Sequence, residues 1–180
     1  RDSSSHADYN GQAADSLKIN PYLGEVSLEP FCKQCFATNT GVFVLVRTSN
    51  KGAAAFQDML VGAKKVDEIV AGTVNKMAGP LVGKHGYSSI GAVVGATWPN
   101  EAAILREQMK KIFFLVPGYG AQGGDVETIK ACFDKDGRGA IVNSSRGVLY
   151  PVDNIDLNYR ERIRAACEKF VTDVRNASGI

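Results

Sequence analysis

Residues 112–125 constrain the fold of this 180-residue chain more than any other stretch. Ile112-Phe113-Phe114-Leu115-Val116 is apolar and uncharged. That is the pattern of a strand buried on both faces of a parallel sheet. Four glycines follow within seven residues, at 118, 120, 123 and 124. Glycines let neighbouring backbone N–H groups turn toward one point, and such a concave array suits an anion such as phosphate. Gln122, inside the loop, both donates and accepts hydrogen bonds. A flexible strand-to-helix connection has the same composition, so the loop alone does not decide between the two.

The rest of the chain repeats the alternation. Leu17–Asn20, Val42–Val46, Ile90–Ala96 and Ala140–Asn143 read as further strands. Val26, Leu28, Phe31, Cys35 and Phe36 predict a helix over 25–38. Val61, Val66, Ile69, Val70, Val74 and Met77 predict a longer helix, stopped by Gly79-Pro80. A helix from Asn100, read as its cap, to about Lys111 follows the third strand. Asp125 is placed to cap a helix over 126–133. Ile155, Tyr159, Ile163, Ala166, Cys167, Phe170 and Val174 predict a closing helix over 153–175. Residues 1–16 are small and polar and read as a loop. Five strands, each followed by a helix, make a parallel sheet with helices outside it. With no linker in view, residues 1–180 read as a single domain.

Bulk properties narrow the function. A formal net charge of +2 and the lack of a long basic run do not imply nucleic acid. No apolar stretch approaches the ~20 residues of a membrane helix, and the polar N-terminus is no signal peptide. Cys32 and Cys35 form a C-x-x-C without a second pair or clustered histidines, so metal or redox use is not indicated. The expectation is a reduced, cytoplasmic protein with no metal or cofactor. No nucleophilic triad and no ATP-binding G-x-x-x-x-G-K-S/T run are present.

Ligands of parallel βα folds bind at the carboxyl ends of the strands. Here those ends are Asn20, Thr48-Ser49-Asn50, Thr97, the Gln122 loop and Ser144-Ser145-Arg146. Arg146 is the candidate anion ligand, because its planar fork takes two phosphate oxygens at once. Ser49 is a candidate partner for a polar heterocycle, though a turn serine reads the same way. Lys18 and Lys51 are possible charges at the mouth, with surface exposure as the default for each.

At these residues the sequence resembles orotidine 5′-phosphate decarboxylase. The resemblance rests on Asn20-Pro21-Tyr22-Leu23-Gly24, Phe43–Asn50, Val94-Gly95-Ala96-Thr97, Leu115–Gly124 and Ile141–Gly147. It is greatest to the bacterial branch with an N-S-S-R motif at the fifth strand here. It implies a (βα)8 TIM barrel, of which this chain supplies about the last five βα units, and a homodimer acting on OMP and releasing UMP, with no cofactor. Residue by residue it implies that Ser49 bonds the pyrimidine amide edge and that Thr48 lies beside it. Pro117 would line the pocket, Gln122 would bridge pyrimidine and phosphate, and Arg146 would hold the phosphate.

One departure is large. The family's catalytic Asp-x-Lys-x-x-Asp array has no match in this chain, so the resemblance carries over no catalytic residue. At roughly 30 residues per βα unit, about 90 residues of barrel would precede Arg1. They would belong to a longer chain, to a separate N-terminal half, or to a fusion with orotate phosphoribosyltransferase. Half a barrel would expose two sheet edges and an apolar face. Two other readings stay open: a non-catalytic nucleotide-binding module on a flavodoxin-like sheet, and another (βα)8 enzyme acting on a sugar phosphate.

Overall fold

A computed structural model describes residues 14–151 and 158–180. In chain order the elements are β1 (Ser16–Ile19), α1 (Glu25–Thr38), β2 (Gly41–Arg47), α2 (Ala54–Gln57), β3 (Leu60–Val61), β4 (Lys64–Lys65), α3 (Val66–Ala78), β5 (Ile90–Val94), α4 (Pro99–Gln108), β6 (Phe114–Val116), α5 (Val126–Lys130), β7 (Ala140–Val142), α6 (Arg146–Leu149) and α7 (Tyr159–Ser178). Five strands form one parallel sheet in the order β1-β2-β5-β6-β7.

That strictly sequential order decides between the sheet architectures left open by the sequence. A flavodoxin-like sheet reverses its strand order at a switch point. Sequential parallel strands with right-handed crossovers place every helix on one side, as in a barrel wall. Burial agrees with this. Val42, Val44 and Val46 of β2, Ala92 and Val94 of β5, and Phe114 and Val116 of β6 are buried in one core with Leu28, Ala71, Val74, Leu105 and Ile129 of the helices. Register brings Leu45, Val93, Leu115 and Ile141 side by side on the opposite face. That face is more open, with Leu45 and Leu115 half-buried and Ile141 49% exposed. The fold is part of a (βα)8 barrel, and its concave wall is the apolar face expected of an incomplete one.

Arg106 of α4 ties the lower end of this wall together. Its guanidinium is buried and donates to the carbonyls of Ile112 at 2.8 Å and Gly139 at 3.1 Å, and to that of Met109. The group also lies 3.9 Å from the Phe114 ring centroid. One side chain thus joins a helix to the segments that lead into β6 and β7.

Several boundaries differ from the sequence expectation. Val61 lies in a β3–β4 hairpin and not in α3, because Gly62 turns the chain at φ +65° before the helix begins. Asn100 is not a cap: Trp98 holds the cap position and Pro99 opens α4, where a missing N–H costs nothing. That helix ends at Gln108 and α5 ends at Lys130, both shorter than their apolar spacing suggests. Asp125 does cap α5, in a reciprocal box with Thr128. The closing helix starts at Tyr159, capped by Asn158, and runs to Ser178; Ile155 lies outside the described residues, as does most of the 1–16 loop. In α1 only Leu28 and Cys35 bury, while Val26 and Phe36 are exposed, because α1 covers the sheet at its β1–β2 edge. All four cysteines are free thiols, and the described residues hold no cluster of His, Cys, Asp or Glu that could bind a metal.

Candidate active site

The site is built where β1, β2, β5, β6 and β7 end. Ser49, just beyond β2, is seated between two glycines. A Cβ on Gly95 would fall 2.7 Å from the Ser49 backbone, and one on Gly118 would fall 2.7 Å from Ser49 Cβ. Thr97 Oγ1 donates to the Ser49 carbonyl at 3.1 Å, and Trp98 Nε1 donates to the Thr48 carbonyl at 3.0 Å. Gln57 of α2 closes on Thr48 from the other side, accepting from its N–H at 3.0 Å and donating to its hydroxyl at 2.8 Å. So held, Ser49 Oγ donates to Gln122 Oε1 at 2.9 Å.

The glycine loop that carries Gln122 is folded on itself. Gly124 N–H donates to the Gly118 carbonyl at 3.1 Å, and Gly120 N–H donates to the Gly124 carbonyl at 2.7 Å. Gly118 has φ +99°, a conformation an L side chain seldom adopts. Gly118→Ala is therefore expected to lower stability in denaturant unfolding by about 1–2 kcal/mol. Gly123→Ala, at φ +100° with open space around its Cβ, should cost less. Equal losses would show that the Ser49 contact yields freely.

Tyr119 anchors the loop to α7. Its hydroxyl donates to Asp173 at 2.6 Å, its ring lies 5.3 Å from Phe170, and Lys169 joins the same carboxylate at 2.6 Å. Burial pushes the Asp173 carboxyl up, but the bonds from Lys169 and Tyr119 outweigh it and hold the group low. The Tyr119 phenol is pushed up by burial and by donating to that carboxylate.

Four of the five expected site residues stand together. Thr48, Ser49 and Pro117 line a cavity of about 220 Å³ with Lys18, Leu45 and Asn143, and Gln122 is bonded to Ser49. Arg146 opens α6 on the far side of the loop, where it lines a cavity of about 830 Å³ with Gly120, Ala121 and Ser144. Ser144 connects the two sides through its hydroxyl, 3.4 Å from the Tyr119 carbonyl. Arg146 is exposed and makes no ion pair among the described residues. Of the two lysines proposed for the mouth, Lys18 lines the smaller cavity, because β1 register turns it to the concave face beside Phe43. Lys51 is exposed on the turn after Asn50.

Sequence reasoning passed over Arg47, Trp98 and Asp173. Arg47 is buried and pairs with Asp58 at 2.7 Å and Asp67 at 3.1 Å, with its guanidinium 4.1 Å from the Trp98 ring centroid. The bond from Arg47 holds the Asp58 carboxyl below its usual range, with Lys65 adding to the effect. Burial pushes the Asp67 carboxyl up against the pull of Arg47. The only sequence signal was Arg47 itself, a charge closing an otherwise apolar strand. Chemically, the assembled mouth offers a hydroxyl, an amide and one exposed guanidinium: groups that bind and orient.

This geometry can be set beside known proteins. The family model for orotidine 5′-phosphate decarboxylase / HUMPS matches residues 6–154. The chain belongs to this family. It is 42% identical over 164 residues to orotidine 5′-phosphate decarboxylase of Caldicellulosiruptor bescii, covering 91% of this chain and 54% of the relative. To the Rhodopirellula baltica enzyme of the same name it is 39% identical over 170 residues, covering 91% of this chain and 56% of the relative. The chain thus spans about half the length of these family members. Among solved structures, Leishmania donovani OMP decarboxylase superposes with a TM-score of 0.73 at 31% identity, over 93% of this chain and 58% of that one. Leishmania donovani UMP synthase gives a TM-score of 0.73 at 34% identity, over 91% of this chain and 33% of that one.

Proposed function

We propose that this chain carries the pyrimidine- and phosphate-binding half of an orotidine 5′-phosphate decarboxylase site, which converts OMP to UMP and CO2 in de novo pyrimidine biosynthesis. The observation that carries this reading is the Ser49–Gln122 hydrogen bond, which joins residues 73 positions apart at the mouth of the sheet. Ser49 addresses the amide edge of the ring, with Thr48 beside it and Pro117 against the ring face. Gln122 links that edge to the phosphate, which Arg146 and the loop N–H groups hold. Loss of CO2 leaves a carbanion-like centre at C6 of the ring, and a lysine of the family's charged array protonates it. No residue of this chain matches that array, so catalytic charges come from barrel units outside it. Remote contacts of this kind raise the rate by holding the reactive pocket closed and in shape.

The relatives' greater length supports this division, and the open concave wall supports closure by further βα units. Phe56, Met59, Leu60 and Val61 are all more than half exposed, which supports a second subunit there and a homodimer. Kinship with metabolic enzymes supports a cytoplasmic setting. The match to a UMP synthase of three times the covered length supports a larger polypeptide as one setting.

Calorimetric titration of the full chain tests the reading. UMP is expected to bind more tightly than uridine or a sugar phosphate, with no turnover of OMP. Turnover would place the catalytic charges in this chain. A sugar phosphate that displaces UMP at equal concentration would favour a different (βα)8 enzyme, and failure of UMP to bind would remove the assignment.

A further inference from the structure

The register between β2 and β5 slips after Leu45, so that Leu45 pairs with Val93 but Arg47 pairs with Val94. One extra residue on β2 re-aims the side chain that follows it. Arg47 would otherwise point to the concave wall with Leu45. Instead it enters the helix layer, where it is fully buried. There it holds Asp58, 11 positions downstream, and so closes the segment 47–58 upon itself. Its guanidinium also lies against the face of Trp98, whose N–H pins the Thr48 carbonyl.

Stability alone does not account for this arrangement. A buried ion pair is seldom more stabilising than apolar residues of similar volume. Here two buried polar atoms, Arg47 Nε and Asp67 Oδ1, meet no hydrogen-bond partner of good geometry among the described residues. What the cluster does fix is direction: every group that restrains the Thr48–Ser49 backbone either belongs to it or adjoins it.

We infer that Arg47 and Trp98 are positioning residues, which set the Thr48–Ser49 backbone so that the Ser49 hydroxyl meets Gln122 before any ligand arrives. The inference rests on the proposed role of Ser49 in binding the pyrimidine. A hydroxyl ordered in advance spares the ligand the entropy of ordering it.

Trp98→Phe addresses this role, since it keeps an aromatic face for Arg47 while removing the N–H together with part of the indole ring. In the unliganded full chain, amide hydrogen exchange at Thr48, whose N–H donates to Gln57 Oε1, is expected to rise about tenfold, the value of one lost hydrogen bond, with β6 unchanged. The Kd for UMP is expected to rise by a similar factor, but by less than about twofold in a Ser49→Ala background, where nothing is left to position. Thr97→Val, which removes the bond to the Ser49 carbonyl, should move exchange in the same direction. Unchanged exchange at Thr48 in both variants would overturn the inference, as would an equal loss of UMP affinity in the Ser49→Ala background. Should the unmutated chain fail to bind UMP, the nucleotide reading falls while the exchange measurement still decides the positioning role.

Discussion

Arg146→Ala is expected to weaken UMP binding roughly 30-fold, about 2 kcal/mol, while changing uridine binding by less than about twofold. The two ligands share ring and ribose, so the difference isolates the phosphate. Arg146 is exposed and has no ion-pair partner among the described residues, so the loss will not be masked by a freed carboxylate. Its effect is bounded by exposure, since charges in water are screened by salt. Arg146→Lys should recover only part of the affinity, because an ammonium group is a point charge that does not reproduce the two-pronged contact. The position of Arg146 makes this the sharpest test of the site. It lines a different cavity from Ser49, together with Gly120 and Ala121 of the glycine loop, so a phosphate it holds must lie against that loop. Equal loss for UMP and uridine would move the phosphate elsewhere.

The sheet was legible because β5, β6 and β7 are uncharged apolar runs and β2 is apolar up to Arg47, with helix-length polar stretches between them. The loops at the strand ends were legible because glycine, serine and arginine are conspicuous after such runs. Asp125 was legible as a cap because a carboxylate closes the glycine loop just before the helix; the reciprocal bond to Thr128 was not read. The β3–β4 hairpin was not, because Val61 lies in phase with the apolar positions of α3 and Gly62 reads as one more helix glycine. Arg47 was missed for a different reason. Arginine is seldom fully buried unless paired, and its partners lie 11 and 20 positions downstream across a turn, a short helix and the hairpin. Sequence periodicity shows which face of an element is apolar. It does not show a one-residue bulge that carries a charge from one face of the sheet to the other. The apolar runs read as buried on both faces, while half a barrel was expected to leave one apolar face open; the partly exposed concave face follows the second expectation, since these five strands supply only a share of the wall.

The largest stability effect is expected at the opposite end of the sheet. Arg106→Met should lower unfolding stability by about 3 kcal/mol, because the charge-assisted bonds to the Met109, Ile112 and Gly139 carbonyls are lost while the desolvation cost of the guanidinium is relieved. For a chain of this size that corresponds to a fall in Tm of roughly 6–12 °C. Methionine keeps most of the volume against the Phe114 ring, so the loss reports the Met109, Ile112 and Gly139 carbonyls and not a cavity. Those carbonyls lead into β6 and β7, while the binding groups lie where the same strands end. In barrels the two ends separate stability from chemistry. UMP affinity of the folded fraction should therefore stay within about twofold of the unmutated protein. Chemical denaturation read alongside calorimetric titration at low temperature checks both halves. An unchanged midpoint would mean that the desolvation of a buried guanidinium cancels its bonds, as buried ion pairs often do. A loss of UMP affinity in the folded fraction would instead show that the lower clamp sets the position of the Gln122 loop, coupling the two ends of β6 through only three residues of strand.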